Sequence, residues 1–308
     1  MFELLNDLVE QNKKYIKNGH VATYIPALAK INPNQLGIAI IDLQNNNKEY
    51  FAGDYNTRFA IESISKVPTL ILAALDNGLD TVFENIDTEP TGFAFNSILN
   101  MEINHRNKPT NPFVNAGAIT ATSLVKGLNK EDRINRILKF FRKITNDPDI
   151  KLNEEIYLSE KRTGDINRSL AYYLKGNNMI KGEISEVLDS YFKQCSLEVT
   201  ALSLARLGAV LANNGVLPWN NEKLVSKEIS TIVKSLMVTC GLYDESGTFG
   251  VHIGIPAKSG VGGGILAVVP KRYGIGIFSP ALDEKGNSVA GMHLLQDISQ
   301  KFDLNIFE

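Results

Sequence analysis

The sequence predicts an α+β fold in which both chain ends feed one antiparallel sheet and a helical region is inserted between them. Two observations carry this reading: strand-forming residues gather near the two ends, and apolar residues at helical spacing fill the middle. At the N-terminus, Phe2, Leu5, Leu8 and Val9 fall on one face of a helix. Residues 36–43 (LGIAIIDL) are rich in strand formers, QNNN at 44–47 reads as a turn, and 48–52 supplies the return strand of a hairpin. Helical spacing follows at 69–75, 119–126, 131–143, 169–174, 184–192 and 199–213. Near the other end, 249–259, 264–269 and 273–278 are short apolar runs punctuated by Gly, Pro, Lys and Arg, which predicts an antiparallel meander. A last helix is expected over about 289–301.

No repeat and no linker divides the chain, so 308 residues are read as one domain. Its sheet lobe is expected over about 1–62 and 243–308, and its helical lobe over about 63–242. A cleft between the two lobes is the natural place for a ligand. Hydrophobic content of 44% and charged content of 21% are those of an ordinary globular protein. A net charge of −2, with both signs dispersed, argues against a nucleic-acid or membrane-surface partner. No apolar run reaches the ~18 residues of a membrane span. Glu3, Asp7 and Glu10 interrupt the first helix, which is unlike a secretory signal. Cys195 and Cys240 form no CxxC and no disulfide framework, so reduced core thiols in a cytoplasmic protein are expected.

The chemistry centres on SISK at 63–66. If Ser63 opens a helix, the three-residue spacing brings Lys66 onto the same face one turn later. A lysine held neutral by burial can then take the serine proton, and the helix start directs backbone N–H groups toward the point of attack. The spacing recurs at 123–126 and 190–193, both within expected helices, so context must decide. Only the first copy follows the hairpin directly and precedes a long apolar helix. About two hundred residues later comes KSG, Lys258, Ser259 and Gly260, at the end of a strand. S-x-x-K early and K-[ST]-G late is the signature of penicillin-recognising serine enzymes. The run KSGVGGG at 258–264 also permits close backbone approach, and the Val261 N–H could join that of Ser63 as an oxyanion hole.

Seven segments in order, YIPALAK at 24–30, ESISK at 62–66, NPFVNAGA at 111–118, SEKRTGD at 159–165 with Asn167, CSLEVT at 195–200, GLYD at 241–244 and PAKSG at 256–260, resemble the serine-dependent glutaminase family. The resemblance covers roughly residues 20 to 293. It implies a β-lactamase-like fold and hydrolysis of L-glutamine to glutamate and ammonia, with no metal or organic cofactor. It implies that Ser63 attacks the side-chain amide and Lys66 relays its proton, with Tyr191 and Tyr243 as proton-shuttling phenols. Tyr24, Asn115, Glu160 and Asn167 would hold the α-amino and α-carboxylate groups, and Val261 would supply an oxyanion N–H. A homodimer or homotetramer is implied as well. The position before the nucleophile is often Gln in the family, and here it is Glu62, which could favour a protonated Lys66 or meet the substrate ammonium.

His20, His105, His252 and His293 show no metal-ligand spacing, and His252 reads as a structural residue on a strand. There is no G-x-S-x-G elbow, phosphate loop or dinucleotide fingerprint. Two other readings stand beside the amide hydrolase. One is a β-lactamase-type enzyme, for which no S-D-N triplet is found between the motifs. The other is a silent glutamine-binding protein, against which the intact Ser63, Lys66, Tyr191 and Tyr243 argue.

Overall fold

Residues from opposite ends of the chain pair strand to strand in the computed structural model, which describes residues 1–103 and 108–308; His105 lies outside the described residues. Strands β1 (Gly37–Asp42) and β2 (Lys48–Gly53) form the expected hairpin. A separate two-stranded ribbon joins β3 (Phe59–Ala60) to β4 (Glu198–Val199). The meander follows as β5 (Ala257–Gly260), β6 (Gly264–Val269) and β7 (Tyr273–Phe278). The main sheet runs β2-β1-β7-β6-β5, antiparallel throughout, with Ile40 of β1 opposite Ile275 of β7.

The helices are α1 (Phe2–Asn12), α2 (Lys66–Asn77), α3 (Leu79–Asn85), α4 (Leu99–Ile103), α5 (Asn115–Leu124) and α6 (Lys130–Thr145). They continue as α7 (Glu154–Thr163), α8 (Asp165–Gly176), α9 (Ile184–Cys195), α10 (Ala201–Ala212), α11 (Lys227–Cys240), α12 (Ser246–His252) and α13 (Val289–Phe302). Leu5 and Leu8 of α1 and Leu294 and Ile298 of α13 pack with Ile38, Ile40, Ile265 and Ile275 on one face of the sheet. Ala39, Ile41, Leu266 and Val268 point to the other face, into a core shared with α2, α6 and α10. Strict two-residue alternation with both faces buried makes these strands apolar from end to end.

Helix α10 lies directly on the sheet although its residues fall within the span expected to be a separate helical lobe. Small residues make this approach possible. A Cβ on Gly274 would stand 2.0 Å from the Ala209 nitrogen, and one on Gly276 would stand 1.9 Å from the Ala201 oxygen. A third apolar cluster, including Ile119, Leu170, Leu174, Leu188 and Phe192, ties α5, α8 and α9 together away from the sheet.

The run at 249–259 is not one strand. Phe249 and Ile253, four residues apart, are both buried while Val251 is 75% exposed, a helical and not an alternating pattern. Helix α12 therefore occupies Ser246–His252, Gly254 turns the chain at φ +66°, and β5 begins only at Ala257. His252 accordingly ends a helix. Helices α3, α7 and α11 lie outside the segments singled out by apolar spacing.

Because the obstacle at Gly274 is backbone on both sides, Gly274→Ala should lower stability by about 1–3 kcal/mol or more. Denaturant unfolding of the variant beside the wild type checks this; an unchanged midpoint would show that α10 can lift off the sheet at no cost.

Candidate active site

A sharp strand-to-helix passage presents Ser63. After β3, the Ile61 N–H donates to the Leu197 carbonyl at 2.8 Å, residues Glu62–Ser65 make one tight 3-10 turn, and α2 begins at Lys66. Glu62 takes a left-handed φ of +49°, a conformation that costs a non-glycine residue of order 1–3 kcal/mol and persists only when its surroundings enforce it. The enforcing neighbour is the turn between β5 and β6. A Cβ on Gly262 would stand 2.1 Å from the Ala60 oxygen, and one on Gly260 would stand 2.9 Å from the Ile61 oxygen. Only glycine lets that turn press against the Ser63 passage, and it carries Val261 onto the same cavity wall as Ser63.

Lys66 is 1% exposed. Its Nζ donates to the Phe113 carbonyl at 2.9 Å and to Asn115 Oδ1 at 2.7 Å. Asn115 in turn donates through Nδ2 to Asn167 Oδ1 at 2.8 Å, linking Lys66 to α8. The Asn111 side chain accepts from the Phe113 and Val114 N–H groups and fixes the turn that aims the Phe113 carbonyl. Burial pushes the Lys66 amine down to about 8, although Cys195, Glu160 and Glu62 pull the other way. A neutral amine has two N–H donors and one lone pair. In that form both donors are used by carbonyl oxygens.

Ser63 opens onto a cavity of about 100 Å³. Tyr24, Glu62, Asn115, Glu160, Asn167, Tyr191 and Val261 line it with Ser63, so eight residues singled out in the sequence come together there. Tyr24 stands at the mouth, 57% exposed. Glu160 comes from α7, capped by Asn153, whose Oδ1 accepts from the Ile156 N–H at 3.0 Å. Tyr191 comes from α9, which Asp189 clamps to α7 through Tyr157 and Lys161.

Two acids share this small space. Burial pushes Glu62 well above the ordinary carboxylate range, and neighbouring Glu160 pushes it further, with Lys66 opposing. Burial also raises Glu160, while Glu62 and Lys66 hold it down. Of the two, Glu62 keeps the proton and Glu160 the charge.

Tyr243 does not line the main cavity; it lies in a smaller adjoining hollow of about 20 Å³ with Phe95 and Phe113. It too is left-handed, at φ +53°, and its buried hydroxyl has no partner of conventional geometry. Burial raises that phenol and the nearby Ser63 hydroxyl partly offsets the rise, which puts the two hydroxyls within each other's influence. Burial raises the Tyr191 phenol as well. Lys258 lies behind the cavity, 0% exposed, with its Nζ 4.6 Å from the Tyr243 ring centre and donating to the Ser259 carbonyl. Burial, then repulsion from Lys66, lowers its amine well below the usual lysine range. Ser259 is also fully buried, off the cavity wall, and its hydroxyl has no partner.

Among the lining residues that sequence reasoning missed are Phe95 and Cys195. Phe95 stacks at a tilt on Tyr243 with ring centres 4.8 Å apart, and nothing in its turn-like surroundings marks it. Cys195 lies one helical turn beyond Tyr191, and that i+4 spacing is the signal that could have found it. Larger hollows, of about 410 and 580 Å³, flank α12 and bring no serine–lysine pair together. No helix is long and apolar enough to cross a membrane, and no group of three or more His, Cys, Asp or Glu could hold a metal, both among the described residues.

Comparison with known proteins agrees with this geometry. The glutaminase family model matches residues 19–307. Glutaminase 1 of Clostridium perfringens is 67% identical over 303 residues, 98% of each chain, and Glutaminase 2 of that organism is 58% identical over 307 residues, 100% of each. A probable glutaminase from Bacillus subtilis complexed with 6-diazo-5-oxo-L-norleucine superposes with a TM-score of 0.91 at 38% identity, covering 99% of this chain and 95% of that one. The covalent complex of a Bacillus subtilis glutaminase with 5-oxo-L-norleucine superposes with a TM-score of 0.89 at 36% identity, covering 99% of both chains. The α+β fold is thus the β-lactamase-like fold of the bacterial glutaminases. Sequence relatives aligned end to end and solved backbones that superpose over the whole length agree, and this chain belongs to the glutaminase family.

Proposed function

We propose that this chain hydrolyses the side-chain amide of L-glutamine to L-glutamate and ammonia through a Ser63 ester, with Lys66 as the base. The observation that carries the reading is the buried Lys66 amine, one turn from Ser63, with both N–H donors spent on carbonyl oxygens. Lys66 takes the Ser63 proton as Oγ bonds to the amide carbon. The Ser63 and Val261 N–H groups receive the oxyanion. The C–N bond then breaks, and the departing nitrogen gains a proton passed through Tyr191 or Tyr243. Burial keeps both phenols protonated, which suits them to donate at this step. Water attacks the ester by the reverse relay and frees glutamate and Ser63.

Specificity follows from the far end of the cavity. Glutamine carries a cation and an anion on one carbon, and both lose water on entry. Glu160 faces the ammonium, while Tyr24, Asn115 and Asn167 serve the carboxylate. A cavity of about 100 Å³ falls well below the ~300 Å³ where drug-sized sites begin, which favours an amino acid over a β-lactam. Asparagine is one methylene shorter, a difference worth only ~1–3 kcal/mol in contact alone. Its rejection must come from the fixed span between Ser63 and the α-group anchors.

Ammonia release from L-glutamine should fall by at least about a thousandfold in Ser63→Ala, as expected when a nucleophile is removed. Binding of glutamine by wild type without ammonia release would identify a silent binder, and nitrocefin turnover would identify a β-lactamase-type enzyme. The pH profile of kcat/KM should rise through about 8, where Lys66 loses its proton, and not near the ordinary lysine value. A flat profile across that interval would remove Lys66 as the base. Glu160→Gln should raise KM for glutamine at least tenfold with a smaller change in kcat, since a charged hydrogen bond is worth about 1.5–3 kcal/mol. A drop confined to kcat would place Glu160 in the chemistry instead.

A further inference from the structure

Glu62 is an unexplained expense in this site. It is a carboxyl at 3% exposure, in a left-handed conformation that its type disfavours, on the residue before the nucleophile. Its Oε1 is buried with no hydrogen-bond partner, yet the residue lines the cavity beside Glu160. A buried, unsatisfied acceptor is costly, and strain is tolerated where the surroundings, or a ligand, require it. The residue with this orphaned oxygen lines the same small cavity as Glu160, and an ammonium brings three donors to be satisfied.

We propose that Glu62 and Glu160 together form the ammonium subsite, with Glu62 protonated in the empty enzyme and giving its proton to solvent when the substrate's α-ammonium enters. This deepens the glutamine-hydrolase reading and rests on it. The balance is simple: the Glu62 O–H bond breaks, the proton goes to water, and the carboxylate left behind pairs with the ammonium. Empty, the pair carries one negative charge, because two adjacent buried anions repel. Occupied, it carries two against the cation.

The groups facing Glu62 agree. They are Glu160 from α7, Lys66 from α2, Tyr191 and Cys195 from α9, Tyr24 at the mouth, and Tyr243. Lys66 alone among them can carry positive charge, and burial drives it toward neutrality. Lys66 therefore opposes the effect of burial and of Glu160 on Glu62 only in part. A cationic ligand lowers the acid's pKa, so protons leave over the interval between its free and bound values. In that interval, affinity for glutamine rises with pH by up to tenfold per unit for one proton released.

The experiment is calorimetric titration of L-glutamine into Ser63→Ala protein, near neutral pH, in two buffers of different ionisation enthalpy. The expected result is release of most of one proton per glutamine bound, lost when Glu62→Gln is added. Equal proton release with and without Glu62→Gln, or no release in either, overturns the proposal. A second measurement needs no second substitution. The dissociation constant of the Ser63→Ala protein should fall as pH rises toward neutrality, and a flat dependence also overturns the proposal. Heat of glutamine binding without proton release sinks this inference alone. Failure of both proteins to bind glutamine, with wild type releasing no ammonia, sinks the hydrolase reading beneath it.

Discussion

The site depends on an amine kept out of water. A lysine on the protein surface keeps its proton far above neutral pH; Lys66 gives it up at about 8 because α2 begins inside the core. Val67, Leu70 and Ile71 drive the first turns of α2 into the apolar cluster beneath the sheet, and Lys66 goes in with them. Its partners are carbonyl oxygens and not carboxylates, so they orient the amine without fixing its charge. The two nearby acids complicate this arrangement. Were both ionised, their field would draw Lys66 back to the charged form. One proton retained on Glu62 halves that field, so the acid pair and the base are two parts of one electrostatic balance.

Two turns hold the geometry that the balance needs, and neither is stable alone. The Ser63 passage is strained at Glu62, and the glycine turn at 260–264 has little side chain with which to anchor itself. Pressed together, each removes the other's freedom. Phe59 below and Ile64 above the passage both touch the space where a Cβ on Gly264 would fall, so the contact has no slack. Tyr243 repeats the device, left-handed and half-buried with its hydroxyl inward at the same junction. Among the described residues no left-handed non-glycine position falls within a strand, and Glu62 and Tyr243 are the two such positions beside Ser63.

Much of this was legible in the sequence because the sheet and the long helices are built from burial. β1, β6 and β7 announce themselves through unbroken apolar runs, and α2, α9 and α10 through three-four spacing. Residue 249 misled because Gly and β-branched neighbours mimic a strand while Phe249 and Ile253 bury as a helix. Helix α7 was silent for a more instructive reason. Its inward residues include Ser159 and Glu160, so its buried face is polar and escapes a search for apolar periodicity. A helix that faces a ligand does not look like one that faces a core. Residue types and motif order picked out the eight cavity-lining residues, whereas the depth of Tyr243 behind the wall and the pairing of Glu62 with Glu160 required coordinates.

The pairing of Ile40 with Ile275 has a consequence for the birth of the protein. A ribosome releases β1, β2 and Ser63 about two hundred residues before their neighbours β6 and β7 and the glycine turn that presses on the Ser63 passage. Until then the hairpin has an open edge and the serine has no wall. Over that interval the hairpin waits on a strand not yet made, so the edge of β1 stays open to other chains until β7 arrives.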